Sequence, residues 1–267
     1  MRLLYILFTF LVLLPQLLLA QDTIVDQEVK VNQQLWLDYN YHTPLGETKG
    51  LNTQFGFRKI EPQVYNKFLV NSSLYFKNLK SPKILHLKKP FIETYHLGAG
   101  LIYTQNYGAD DNFEFRLMQG LKFEIPTIKV LTFNNYVRLE ERFQNNFDAS
   151  GWSTGFRVRY RISTELEWGN YLFDFTHGLY FPLSAEIFFN LKKSDRYNDL
   201  TRISPGIGYR TKSNWKFEMY LIFNRTKNIT ETNNTSRDFI LRFRVINASK
   251  KKYIDGMEEN YPREEGE

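Results

Sequence analysis

Phe113-Glu114-Phe115-Arg116-Leu117-Met118-Gln119-Gly120-Leu121-Lys122-Phe123-Glu124-Ile125 carries a ring or an aliphatic chain at almost every odd position and a charge or a small residue at most even ones. Successive side chains of an extended strand point to opposite faces. The segment is therefore a strand with one apolar face and one polar face. Phe156 to Ile162 sharpens the pattern, with Phe156, Val158, Tyr160 and Ile162 on one side and Arg157, Arg159 and Arg161 on the other. Phe217, Met219, Leu221 and Phe223 alternate with Glu218, Tyr220, Ile222 and Asn224, and Phe239, Leu241, Phe243 and Val245 with Ile240, Arg242, Arg244 and Ile246.

Period two marks eleven segments: Gln33–Tyr41, Leu51–Lys59, Lys67–Lys77, Ile92–Gln105, Phe113–Ile125, Val130–Phe143, Ser153–Leu166, Tyr180–Leu191, Arg202–Lys212, Trp215–Arg225 and Arg237–Ile246. A further strand is expected at Thr23–Val31 or Tyr171–His177. After Val31 no stretch has helical apolar spacing that period two does not explain better. Ser213-Asn214 and Pro126-Thr127-Ile128 read as short turns, whereas Lys192–Thr201, Asn145–Trp152 and Thr226–Ser236 read as long polar loops. Short turns at one end and long loops at the other are the habit of outer-membrane barrels. The fold expected is all-β: an antiparallel transmembrane β-barrel of about twelve strands, with ten to twelve accommodated by the length.

Soluble sheets turn the apolar face inward, whereas a membrane barrel reverses this. Several of these strands exceed the usual five or six residues of a globular sheet. Trp36, Tyr103, Phe143, Trp152, Tyr209 and Trp215 fall near strand ends, as interfacial girdles require. The polar faces favour Arg, whose planar fork pairs with carboxylates and tolerates partial burial better than an ammonium. Glu114, Arg116, Arg138, Glu140, Arg142, Arg157, Arg159, Arg161, Glu186, Arg202, Glu218, Arg242 and Arg244 are therefore expected to form a charge ladder on the wall of a lumen. With Leu117 and Val158 facing lipid, an Arg at either position is expected to be costly. Gly120→Ala on the lumen side is expected to be mild.

Met1-Arg2, an apolar run over Leu3–Leu19 and Ala20 read as a secretory signal peptide over residues 1–20. Residues 21–32 are a lead-in, 33–246 the barrel and 247–267 a charged tail of the composition of disordered segments. The 267 residues have a formal charge of +6 and no Cys, which excludes disulfides, thiol nucleophiles and Cys-ligated zinc. The basic excess is mild and spread along the chain, so nucleic acid is not an expected partner. Aromatics make up 16% of the chain, yet the mean hydropathy is −0.44, which is incompatible with a helical membrane protein.

His42, His86, His96 and His177 show no metal-ligand spacing, although His96 lies within a strand and can line the wall. Ser184 and Ser204 have no His nearby in sequence to activate them, and the loop acids Asp110, Asp111, Asp195 and Asp199 suit solvation better than calcium. No catalytic, cofactor-binding or metal-binding residue is assigned, and no cofactor is expected.

Tyr136-Val137-Arg138-Leu139-Glu140-Glu141-Arg142-Phe143, Phe156-Arg157-Val158-Arg159-Tyr160-Arg161, Glu186-Ile187-Phe188-Phe189-Asn190, and Arg202 with Gly206-Ile207-Gly208-Tyr209 resemble, in order and spacing, the domain-of-unknown-function family DUF2490. The resemblance covers roughly Leu35 to Ile246. It implies a bacterial outer-membrane barrel behind a signal peptide, without an established activity. The charged tail after Ile246 departs from barrels that end on their last strand. The expected function is an integral outer-membrane barrel, either closed or narrow and weakly anion-selective. An outer-membrane lipid-modifying enzyme and a soluble secreted barrel for a hydrophobic ligand are the alternatives. Expected partners are outer-membrane lipids and the barrel-assembly machinery, with oligomeric state left open.

Overall fold

A computed structural model describes residues 30–61, 65–77, 92–128, 131–147, 151–167, 178–192, 197–211, 213–228 and 235–248. They form eleven strands: β1 (Lys30–Pro44), β2 (Lys49–Glu61), β3 (Tyr65–Lys77), β4 (Ile92–Asn106), β5 (Asn112–Ile128), β6 (Leu131–Asn145), β7 (Trp152–Glu167), β8 (Leu179–Lys192), β9 (Tyr197–Arg210), β10 (Trp215–Asn228) and β11 (Thr235–Ala248). Each strand pairs with its sequence neighbours, and β1 pairs with β11 to close the barrel. The segments read from the alternation are these eleven, in order. Both places suggested for a further strand, the leader and the charged tail lie largely or wholly outside the described residues.

Closure departs from the expected all-antiparallel arrangement. In an up-and-down meander all odd-numbered strands run the same way. An eleventh strand meeting the first must therefore pair in parallel, and it does so from Lys30↔Ser236 to His42↔Ala248. As a result, β1 starts at one end of the barrel and β11 finishes at the other.

The expected division into short-turn and long-loop ends is also corrected. The longest connections, 78–91 and 168–178, fall at the end that also carries the tight β1–β2, β5–β6 and β9–β10 turns. Three segments read as long loops shrink because pairing continues into them, as at Lys227↔Thr235 and Asn228↔Tyr197. The Ser213-Asn214 turn is present, with Thr211 N–H donating to the Trp215 carbonyl at 2.8 Å. Asn214 takes the left-handed φ of 65°, which an Asn side chain tolerates. The β5–β6 turn is not at Pro126-Thr127-Ile128. β5 runs through these residues to Ile128, which pairs with Leu131 of β6, and a register irregularity between Pro126 and Ile128 accommodates the proline.

The odd residues of β5 and the even residues of β7 face outward. Leu117 and Phe156 are exposed, as are Leu37, Phe55, Phe189 and Phe243 on other strands, whereas Glu114, Glu140 and Arg157 are buried inside. Polar side chains also occur on the outer face, among them Glu141, which is paired in register with Leu117 and Phe156. Trp36 corrects its assignment to a girdle: it is 4% exposed, on the inner face of β1, packed with Tyr220, Ile222 and Ile240. Its neighbours in the alternation, Leu37 and Tyr39, are the ones facing out.

Inner-wall glycines make room for rings on neighbouring strands. A Cβ on Gly208 would lie 2.4 Å from the Tyr180 ring, and one on Gly120 would lie 2.6 Å from that of Tyr136. Tyr136 is itself backed by His96, with ring centroids 5.3 Å apart. Gly120→Ala is therefore not the mild change expected from the alternation. Crowding that ring should cost about 1–3 kcal/mol, read as a lowered urea midpoint of the refolded protein. An unchanged midpoint would contradict this packing.

Candidate functional site

The inner wall of β5 to β9 carries a continuous belt of ion pairs. Glu114 on β5 accepts from Arg142 Nε at 3.0 Å and Nη2 at 2.6 Å, from Arg116 Nε at 2.6 Å and from Gln144 at 3.0 Å. Arg116 also reaches Glu140 at 3.7 Å. Glu140 on β6 has no exposed side-chain surface and accepts from Arg157 at 2.5 and 2.8 Å, from Arg159 at 3.2 Å and from Arg138. Arg159 continues the belt to Glu186 with one N–H group 2.9 Å from each carboxylate oxygen. Glu186 also takes Arg202 at 3.2 Å and, more distantly, Arg161 at 3.8 Å.

Register sets this geometry. Met118↔Glu140↔Arg157 and Gly120↔Arg138↔Arg159 are successive inward rungs across β5, β6 and β7, so Glu140 lies between guanidiniums on its own and adjoining strands. Burying an ion costs several kcal/mol, which only well-oriented partners offset. Bidentate guanidinium contacts meet that demand.

All thirteen residues expected on the ladder line the inner wall, but they do not form one array. Ten, from Glu114 to Arg202, share the belt. Arg242 pairs separately with Asp38 at 2.6 Å, and Gln54 also donates to Asp38 at 2.8 Å. Glu218 collects Arg244, the Tyr180 hydroxyl at 2.6 Å and the Tyr220 hydroxyl at 3.0 Å.

Several inner-wall residues were not assigned from the sequence: Asp38, Arg58, Trp36, and Arg210 with Glu165 and Glu167. Parity was available for Asp38 and Glu165, since both continue the inward positions of their strands. The aromatic character of Trp36 pointed the wrong way.

Trp36 fills the interior beside the belt. Arg58 on the adjoining β2 sits 3.9 Å from its ring, and Arg202 on β9, with β10 and β11 between, sits 4.9 Å away. Arg202 also lies 5.0 Å from Phe188 on β8. The Trp36 indole N–H donates to Gln34 at 2.8 Å. This Trp–Arg contact spans a chord of the barrel.

Ser184 faces Ser163 and Ser204 in register on the inner wall, while His42 and His96 lie on β1 and β4. Among the described residues no group of three His, Cys, Asp or Glu side chains is placed to hold a metal.

The family described as "Protein of unknown function (DUF2490)" matches residues 33–235. No curated protein matches the chain, and no solved structure does.

Glu140→Gln would leave buried guanidiniums without their carboxylate and should cost about 3–5 kcal/mol. Arg161→Gln, whose side chain is 36% exposed and 3.8 Å from its carboxylate, should cost under about 1 kcal/mol. Equilibrium denaturation of the two variants side by side tests this. Equal losses would mean that the belt does not carry the stability assigned to it.

Proposed function

Because the chain belongs to the DUF2490 family, whose description assigns no activity, we propose a role read from the barrel itself: an integral barrel of the bacterial outer membrane with a closed bore. It is exported by a signal peptide cleaved near Ala20, inserted by the barrel-assembly machinery and surrounded by lipid. The carrying observation is the inversion of faces. Large apolar side chains are exposed from β1 round to β11 while carboxylates and guanidiniums are buried inside, an arrangement that water disfavours and a bilayer favours.

Strands of 13 to 17 residues exceed the nine to eleven needed to cross a membrane. Near one rim Phe113 packs edge-on against Trp152 at 6.3 Å, and near the other Trp215 stacks on Phe217 at the same distance. Rings at these levels suit interfacial girdles. A groove of about 600 Å³ on the outer face, lined by Leu37, Phe55, Phe68 and Leu101 among others, has the character of a seat for an acyl chain. Trp36 and its two guanidiniums support a closed bore. No catalytic step is assigned to the chain.

A second reading, narrow anion-selective conduction, is favoured by one observation: among the described residues guanidiniums outnumber the carboxylates they pair with along the inner wall. Planar-bilayer recordings separate the two. The closed-bore reading expects no conductance steps in the native protein and steps preferring anions in Trp36→Ala. Steps in the native protein would replace it with the second reading.

Membrane insertion itself is tested by fractionation with heat-modifiable gel migration. Leu117→Arg should lose about 2–4 kcal/mol if it lies near mid-bilayer. Recovery of native protein in the soluble fraction would overturn the membrane reading. The eleven-strand closure further predicts that tags ahead of β1 and after Glu267 are labelled from opposite faces of the membrane. Labelling of both from one face would exclude the parallel seam.

A further inference from the structure

We propose that the inner wall next to the belt, toward the β5–β6 turn, binds a small oxyanion of the phosphate class through His96, Lys122, Arg138 and Arg161. Two inward rungs on neighbouring strands build the site. One is His96↔Gly120↔Arg138 and the next is Lys122↔Tyr136↔Arg161. Gly120, at the centre, has no side chain. The Tyr136 ring lies over it and forms a floor between the cations, with Arg161 5.4 Å and Arg138 5.9 Å from its centroid.

Three donor or acceptor atoms at this place are buried without a hydrogen-bond partner: His96 Nε2, Arg138 Nε and Arg161 Nε. His96 is only 8% exposed. Buried polar atoms in folded proteins are nearly always satisfied, and several orphans gathered in one place point to a missing partner. Among the described residues the charged groups that act on His96 are Lys122, Arg161 and Arg138, all cations. Among the described residues the carboxylates that reach these cations are shared: Glu140 pairs with Arg138 and with three further guanidiniums, and Glu186 pairs with Arg161 at 3.8 Å and with Arg159 and Arg202.

The chemistry follows from the donors. Arg forks and a Lys ammonium together are the usual means of holding phosphate. A tetrahedral oxyanion presents acceptors in enough directions to meet side chains from four strands, which a flat carboxylate with two oxygens does not. Arg161, 36% exposed and loosely paired, provides the entrance. The same chemistry is offered by free inorganic phosphate and by a phosphomonoester headgroup entering at the rim.

The test uses the full mature chain refolded in zwitterionic detergent and checked for heat-modifiable migration. It is titrated calorimetrically at constant ionic strength with inorganic phosphate, and in a second arm with lysophosphatidic acid against lysophosphatidylcholine. Saturable binding is expected in at least one phosphate arm, and which arm responds identifies the source. Arg138→Gln and Arg161→Gln should each weaken it roughly tenfold. Arg161→Lys should retain part of the affinity, and Arg225→Gln on the outer face should retain all of it. No saturable binding of either probe by the native barrel overturns the proposal, whatever the variants do. Undiminished binding in Arg161→Gln, the variant least able to disturb folding, overturns it equally. Conductance is not the readout, so the result is independent of whether the bore is closed.

Discussion

Glu140 has no exposed side-chain surface, and four guanidiniums converge on it from β5, β6 and β7. A buried carboxylate is tolerated only with such compensation, so the chain's fold must bring three strands together in one register. A slip of one residue between β6 and β7 would turn Arg157 and Arg159 outward and set Phe156 and Val158 against the carboxylate. The apolar exterior imposes the same register from the other side, because the slip would also place guanidiniums among Leu117 and its neighbours. Inside and outside thus select a single pairing, and the ion pairs act as a register lock as much as a source of stability.

The low mean hydropathy of −0.44 alongside so many rings has the same origin. Half of each strand is polar and turned inward, which lowers the average while rings and aliphatics cover the outside. The belt is likewise basic, because Glu114, Glu140 and Glu186 each bridge more than one guanidinium.

Strand positions and facing were legible because alternation is a local property, carried by segments such as Phe156 to Ile162. What was not legible depends on distant contacts. Whether an odd or even number of strands closes the barrel is settled between β1 and β11, more than two hundred residues apart along the chain. The role of Trp36 depends on Arg202 arriving from β9, so a Trp near a strand end reads as an interfacial ring although its parity places it with Asp38. The crowding at Gly120 depends on how Tyr136 leans on the next strand. The turn expected at Pro126-Thr127-Ile128 was displaced because a bulge absorbs a proline that otherwise signals the end of a strand.

The parallel seam is the place where this architecture should be weakest, since parallel pairing is slightly less stable per residue than antiparallel pairing. It is also where side chains supplement the backbone. Asn32 donates to Asp238 at 2.9 Å, Arg242 to Asp38 at 2.6 Å, and Asn247 to the Tyr39 hydroxyl at 3.4 Å, so the two strands are joined from near one rim to near the other. The central contact is the strongest in kind, a charge-assisted pair, and it has a geometric consequence. Asp38 is two residues from Trp36 on the inner face of β1. Fixing Asp38 to β11 therefore also fixes the depth and direction from which the indole enters the bore to meet Arg58 and Arg202. Closing the barrel and filling it are consequently coupled. The same pairings that join the first strand to the last position the side chain that occupies the interior, so a weakened seam would loosen both.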